Sequence, residues 1–169
     1  MNRRAMAAML GLVVMLHSAG SLALDDADKA IVTALEYTMS DFRLRETRQQ
    51  RPAPSFCLMR GGIKVREISP LEEPIGNGVS KDVVSALRAR GYNAFSSDDC
   101  VHQGDTVRVR GAPQTAALLA IELRYESRDN VIADTSYYGG FSICENQRLR
   151  LERDDEAFVI IERRRTLIC

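Results

Sequence analysis

Beyond Gly104 the chain alternates apolar and polar residues over successive short runs, and this period of two restricts the fold more than any other feature. Val107 and Val109 oppose Thr106, Arg108 and Arg110. Leu119, Ile121, Leu123 and Tyr125 oppose Ala120, Glu122 and Arg124, and Val131, Ala133, Thr135 and Tyr137 oppose Ile132, Asp134 and Ser136. Successive side chains of a strand point to opposite faces, so each run turns one face to a core and the other to water. Arg128-Asp129-Asn130 and Arg153-Asp154-Asp155-Glu156 are turns, Gly139-Gly140 breaks a strand, and Leu149 with Leu151 opens the next. Ala157 to Ile161 is apolar on both faces, which predicts a strand in the interior of the sheet. The expected unit is an antiparallel meander of about four or five strands.

A sheet with one apolar face needs a cover, and the preceding residues supply helices. Ala27, Ile31, Ala34, Leu35, Met39 and Phe42 recur at helical spacing from Asp26 to about Arg45, with Asp25 and Asp26 as candidate N-caps. Arg43, Arg45, Arg48 and Arg51 crowd the end of that helix, where positive charge is favourable against the helix dipole. Gln49 to Pro54 reads as a loop. Ser55 to Arg60 reads as a short strand with Phe56 and Leu58 on one face and Cys57 and Met59 on the other. Ile63, Val65 and Ile68 alternate weakly and could form a second short strand, and a Pro- and Gly-rich connection runs on to Val79. Ser80 caps a second helix, Lys81 to Arg90, which Gly91 ends; Tyr92 to Phe95 is again extended. Strand, helix and strand from Phe56 to Cys100 form one crossover unit. The fold class expected is α+β, with two helices packed on a mostly antiparallel, curved sheet of about five to six strands ending in a β-meander.

The amino terminus has the three-part layout of a secretory signal peptide: Arg3 and Arg4, an apolar and small run from Ala5 to Leu16, and Ser21-Leu22-Ala23 before Asp25. The run falls well short of the roughly 20 residues that a helix needs to cross a bilayer. Cleavage after Ala23 is expected, leaving residues 1–23 as signal peptide and residues 24–169 as a single α+β domain without a membrane span. The whole chain of 169 residues carries 23 basic and 23 acidic side chains. Both arginines of the leader are lost on cleavage, so the mature part is slightly acidic, which disfavours nucleic acid as a partner.

All four cysteines, Cys57, Cys100, Cys144 and Cys169, lie after the leader. An even number in an exported chain predicts disulfides and a periplasmic or secreted location. Cys57 with Cys100 and Cys144 with Cys169 is the expected pairing, because each pair brackets one contiguous unit. Each closed loop would stabilise by roughly 3 to 4 kcal/mol in the chain-entropy model. A metal or redox role is disfavoured, since no C-x-x-C occurs.

Catalytic material is sparse. His17 belongs to the leader, so His102 is the one histidine of the mature part, and no G-x-S-x-G motif is present. Asp98, Asp99, His102 and Asp105 are the only local group that resembles metal ligands, but an Asp-rich polar turn explains them as well and their spacing fits no EF-hand or H-E-x-x-H pattern. No catalytic residue, metal site or cofactor is assigned. Tyr125 and Tyr137 are candidate ligand-binding residues if both line the concave face of a curved sheet, with packing in the core as the competing explanation. The expected function is therefore a non-enzymatic, disulfide-stabilised binding or interaction protein of the bacterial periplasm, of which inhibitors and immunity-type proteins are examples. Its partner would be a protein or a small molecule. The alternative is a small secreted hydrolase or ligand-binding enzyme with a cup lined by the meander.

Overall fold

The computed structural model describes residues 24–48, 54–63, 72–138 and 144–168. The leader, the expected strand positions after Ile63, the Gly139-Gly140 break and the side chains of the expected Cys144 and Cys169 pair lie outside the described residues. Helix α1 (Asp26–Arg48) opens the described chain. Its cap is Asp25, whose carboxylate accepts the Asp28 backbone N–H at 2.7 Å. Acids fill its first turn and Arg45 and Arg48 its last, as the dipole favours.

Strand β1 (Ser55–Arg60) follows, then the two-residue β2 (Glu73–Pro74), helix α2 (Lys81–Ala89) and β3 (Ala94–Ser96). Ser80 caps α2 by accepting the Val83 N–H at 3.2 Å, and Gly91, at φ 83°, lets the chain leave the helix in a left-handed turn. The strands β1 and β3 pair in parallel, Phe56 with Ala94 and Leu58 with Ser96, as a crossover through α2 requires. Strand β1 also pairs in parallel with β6 (Thr115–Tyr125), from Ser55 with Ala116 to Arg60 with Ile121.

Everything else is antiparallel. A 3-10 turn (Ser97–Asp99) leads into the ribbon β4 (Cys100–Gln103) and β5 (Thr106–Val109). Strands β6, β7 (Asn130–Tyr138), β8 (Cys144–Asp154) and β9 (Ala157–Ile168) then form the meander. The architecture is α+β, two helices on a mostly antiparallel sheet with a C-terminal meander, and the sheet has nine strands rather than five or six. The surplus comes from short segments such as β2 and β4, which hold place by ladder hydrogen bonds to their neighbours.

Strand β9 ends the strand order and is an edge, not an interior strand. Its two-sided apolar pattern arises because Phe158 packs inward at 3% exposure, whereas Val159 and Ile161 stand exposed at 40% and 50%.

Strands β1 and the first half of β6 are apolar on both faces, and two separate clusters result. On the helix side, Phe56 and Leu58 of β1, Leu119 and Ile121 of β6, Val131 and Ala133 of β7, and Leu149 and Leu151 of β8 meet Leu35, Met39 and Phe42 of α1 and Leu87 of α2. On the opposite side, Cys57 and Met59 of β1 meet Cys100, Val107 and Val109 of the β4–β5 ribbon and Leu118 and Ala120 of β6. Cys57 and Cys100 are disulfide-bonded inside this second cluster, both fully buried, with Cα atoms 6.3 Å apart. From Glu122 onward β6 is polar on this side, and the outer face of β6 to β9 is exposed in alternation.

Candidate functional site

The segment after β3 anchors loops instead of gathering ligands. The Asp98 carboxylate accepts the Gly78 N–H at 3.2 Å and lies 3.3 Å from the Ser96 hydroxyl, and the Ser97 hydroxyl donates to the Gly76 carbonyl at 2.6 Å. Gly78 is required at this approach, because a Cβ there would lie 1.8 Å from Ser96 Oγ and 2.5 Å from Asp98 Oδ2. Asp99 is exposed, His102 faces Glu73 across β2–β4, and Asp105 sits at the tip of the β4–β5 turn. Among the described residues no three His, Cys, Asp or Glu side chains converge as a metal site.

The two tyrosines share the helix-side face but not a location. Tyr137 stands opposite Leu119, 5% exposed, with its ring 4.5 Å from that of Phe42 in the core. Tyr125 stands opposite Val131 at the far end of the same ladder and is 53% exposed. Six residues of strand separate those two positions, roughly 20 Å at the rise of a β-strand, so the register does not bring the tyrosines together. Partial burial, and then the charges of Asp25 and Asp26, push the Tyr125 hydroxyl pKa up.

What the fold gathers instead are arginine–carboxylate clusters at the two ends of α1. At the amino end, the buried Asp28 accepts from Arg60 on β1 and from the Ser80 hydroxyl, each at 2.7 Å. One carboxylate thereby joins α1, β1 and the cap of α2. Beside it Arg153 binds Asp26 at 2.6 Å, and this hydrogen bond lowers the Asp26 pKa.

At the carboxyl end of α1 the cluster is larger. Glu145 on β8, 6% exposed, takes Arg45 at 2.5 Å, Arg165 of β9 at 2.7 Å and the Gln147 amide at 2.9 Å. Burial pushes the Glu145 pKa up, but the hydrogen bonds from Arg45 and Gln147 and the charges of Arg45 and Arg165 outweigh it, and the net shift is downward. Asp41 lies 3.3 Å from Arg45 and 3.7 Å from Arg165. Thr38 reaches Thr135 at 3.3 Å deeper under the helix, and Arg163 donates to the Tyr37 hydroxyl. A carboxylate saturated in this way is a poor proton acceptor, so the cluster acts as a fastening between α1 and the ends of β8 and β9.

Sequence reasoning missed this cluster. A signal was present in the phase of β8: Glu145 and Gln147 fall on the same inward face as Leu149 and Leu151, so two polar residues occupy core positions.

The remaining surface of interest is the outer face of the meander. Asp134 sits between two arginines, receiving Arg148 at 2.7 and 3.1 Å and Arg124 at 2.8 Å. Burial raises its pKa, the hydrogen bonds from Arg148 and Arg124 lower it, and the lowering prevails. Arg150 pairs with Glu126 at 3.3 Å and Arg164 with Glu162 at 2.6 Å. Exposed pairs of this kind contribute about 0–1 kcal/mol each, so the face is weakly constrained by stability and presents an array of both signs of charge.

Comparison of the chain with protein families, with curated proteins and with solved structures finds no match. No helix among the described residues is long and apolar enough to cross a membrane.

Proposed function

We propose that the chain is an exported, disulfide-stabilised binding or interaction protein of the bacterial periplasm that works through a surface and not through a catalytic group. The observation that carries the reading is the outer face of β6 to β9. It is a broad sheet surface lined by Arg124, Asp134, Arg148 and Arg150, over which no described element folds. Such a face is suited to recognition by complementary charge. In the buried ionic cluster at the carboxyl end of α1, Glu145 is held by Arg45, Arg165 and Gln147.

Export is supported by the layout of residues 1–23 and by the buried Cys57–Cys100 bond, since such bonds persist in oxidising compartments. The second pairing, Cys144 with Cys169, is proposed because the two cysteines bracket the last unit of the chain.

Two measurements test the proposal. Osmotic-shock fractionation with non-reducing peptide mapping should recover a protein that begins at Leu24 and carries both bonds. A cytosolic chain with free thiols refutes export. A photo-crosslinking residue placed at Arg148 should yield a discrete adduct in the periplasm, while one at Arg88 on α2 should not; equal labelling at the two sites refutes the assigned surface.

A further inference from the structure

Strand β9 leaves twelve residues along the free edge of the sheet. A free edge carries unpaired backbone N–H and C=O groups and is a template for another strand unless it is short, charged or covered. The first five residues of this edge, Ala157 to Ile161, carry no charge, and the charged run Glu162 to Arg165 follows them. Val159 and Ile161 are two of the four exposed large hydrophobic residues among those described. Ile161 is left unopposed by the register shift that pairs Arg150 with Glu162 and Leu151 with Ile160.

The order of charge along the strand names the occupant. Acids from Asp154 to Glu156 come first, then the apolar run Ala157 to Ile161, then arginines from Arg163 to Arg165. Read antiparallel against itself about an axis between Val159 and Ile160, this order is self-complementary, with Asp154, Asp155 and Glu156 opposite Arg165, Arg164 and Arg163. The apolar centres meet, and the acidic turn of each copy falls beside the arginines of the other. Arginines alone would guard an edge against pairing. Acids at the other end turn the same arginines into a match, and the exposed acids of this turn have no ion-pair partner among the described residues.

We propose that two copies of this chain associate through antiparallel β9 edges, joining their meanders into one continuous sheet across a two-fold axis. Such an interface is isologous, the commonest symmetry of soluble dimers, and it uses strand addition for backbone hydrogen bonding. One strand pair buries little surface, which places the dimer among the weaker associations. The inference goes beyond the binding function above and does not depend on it.

Sedimentation of the purified processed protein from about 1 µM to about 1 mM should show reversible dimerisation, with Ile161→Lys monomeric over the same range. Reversing the acids (Asp154→Lys with Glu156→Lys) or the bases (Arg163→Glu with Arg164→Glu) should weaken self-association at least about tenfold. Mixing the two reversed proteins should restore association, because one then has two basic ends and the other two acidic ends. A wild-type monomer at the highest concentration overturns the proposal. So does a dimer that Ile161→Lys, shown folded by circular dichroism, leaves intact.

Discussion

The two apolar clusters on opposite faces of β1 and β6 are closed by different physics. The helix-side cluster is large, draws on six strands and both helices, and is held mainly by packing, with polar rims at Asp28 and at Glu145. The cluster under the β4–β5 ribbon is smaller, and a disulfide passes through its centre. A ribbon of two four-residue strands buries little area for the backbone entropy lost on ordering it. A covalent link that restricts the unfolded chain offsets that deficit. Strand β1 serves both arrangements, with Phe56 and Leu58 facing one and Cys57 and Met59 the other.

The largest effect should come from the packed side. Phe56→Ala, which removes a fully buried ring at 5.8 Å from that of Phe42, should cost roughly 3–5 kcal/mol in denaturant unfolding. A cost below about 1 kcal/mol would mean that the helix-side cluster is not the main store of stability. Next comes the covalent side. Replacing Cys57 and Cys100 together by Ala should cost about 3–4 kcal/mol in the chain-entropy model. Its distinguishing mark should be regional: amide exchange accelerates first in Cys100–Val109, while β7 and β8 stay protected. Uniform loss of protection would erase the contrast between the clusters.

The smallest of these effects should come from the rim. Glu145→Gln removes the carboxylate that Arg45 and Arg165 bind most closely, leaving them Asp41 at 3.3 and 3.7 Å, and should cost about 1–3 kcal/mol near pH 7. The folded-state pKa of Glu145 lies below its ordinary value, so its contribution is present in full above the ordinary carboxylate range and is lost as pH falls through the lowered folded value. The stability gap between wild type and Glu145→Gln should therefore narrow in acid. A gap independent of pH would show that the residue acts by packing and not by charge.

Features written in short stretches of chain could be read directly. Ser80 and Gly91 bound α2 because capping is a matter of neighbouring residues. The alternation from Leu119 to Tyr137 marks β6 and β7 because the pleat enforces it. The Cys57–Cys100 bond was accessible less directly, from two cysteines at the outer ends of one crossover unit. The tyrosines were harder to place. Tyr125 and Tyr137 fall on one face of the β6–β7 ladder, but their positions along that face depend on where the β6–β7 turn falls.

By itself, the sequence determined the class of elements, their order, the helix boundaries and the faces of the main strands, all consequences of local backbone geometry and side-chain periodicity. Only the tertiary structure decided that β9 is an edge, that Arg45, Glu145 and Arg165 share one site, and that β1 separates two cores. The reason is range: Arg45 and Glu145 are 100 residues apart, and a two-sided apolar strand looks the same in sequence whether its second face meets a core or stands open. Which of these holds is set by the strand order, a property of the whole sheet.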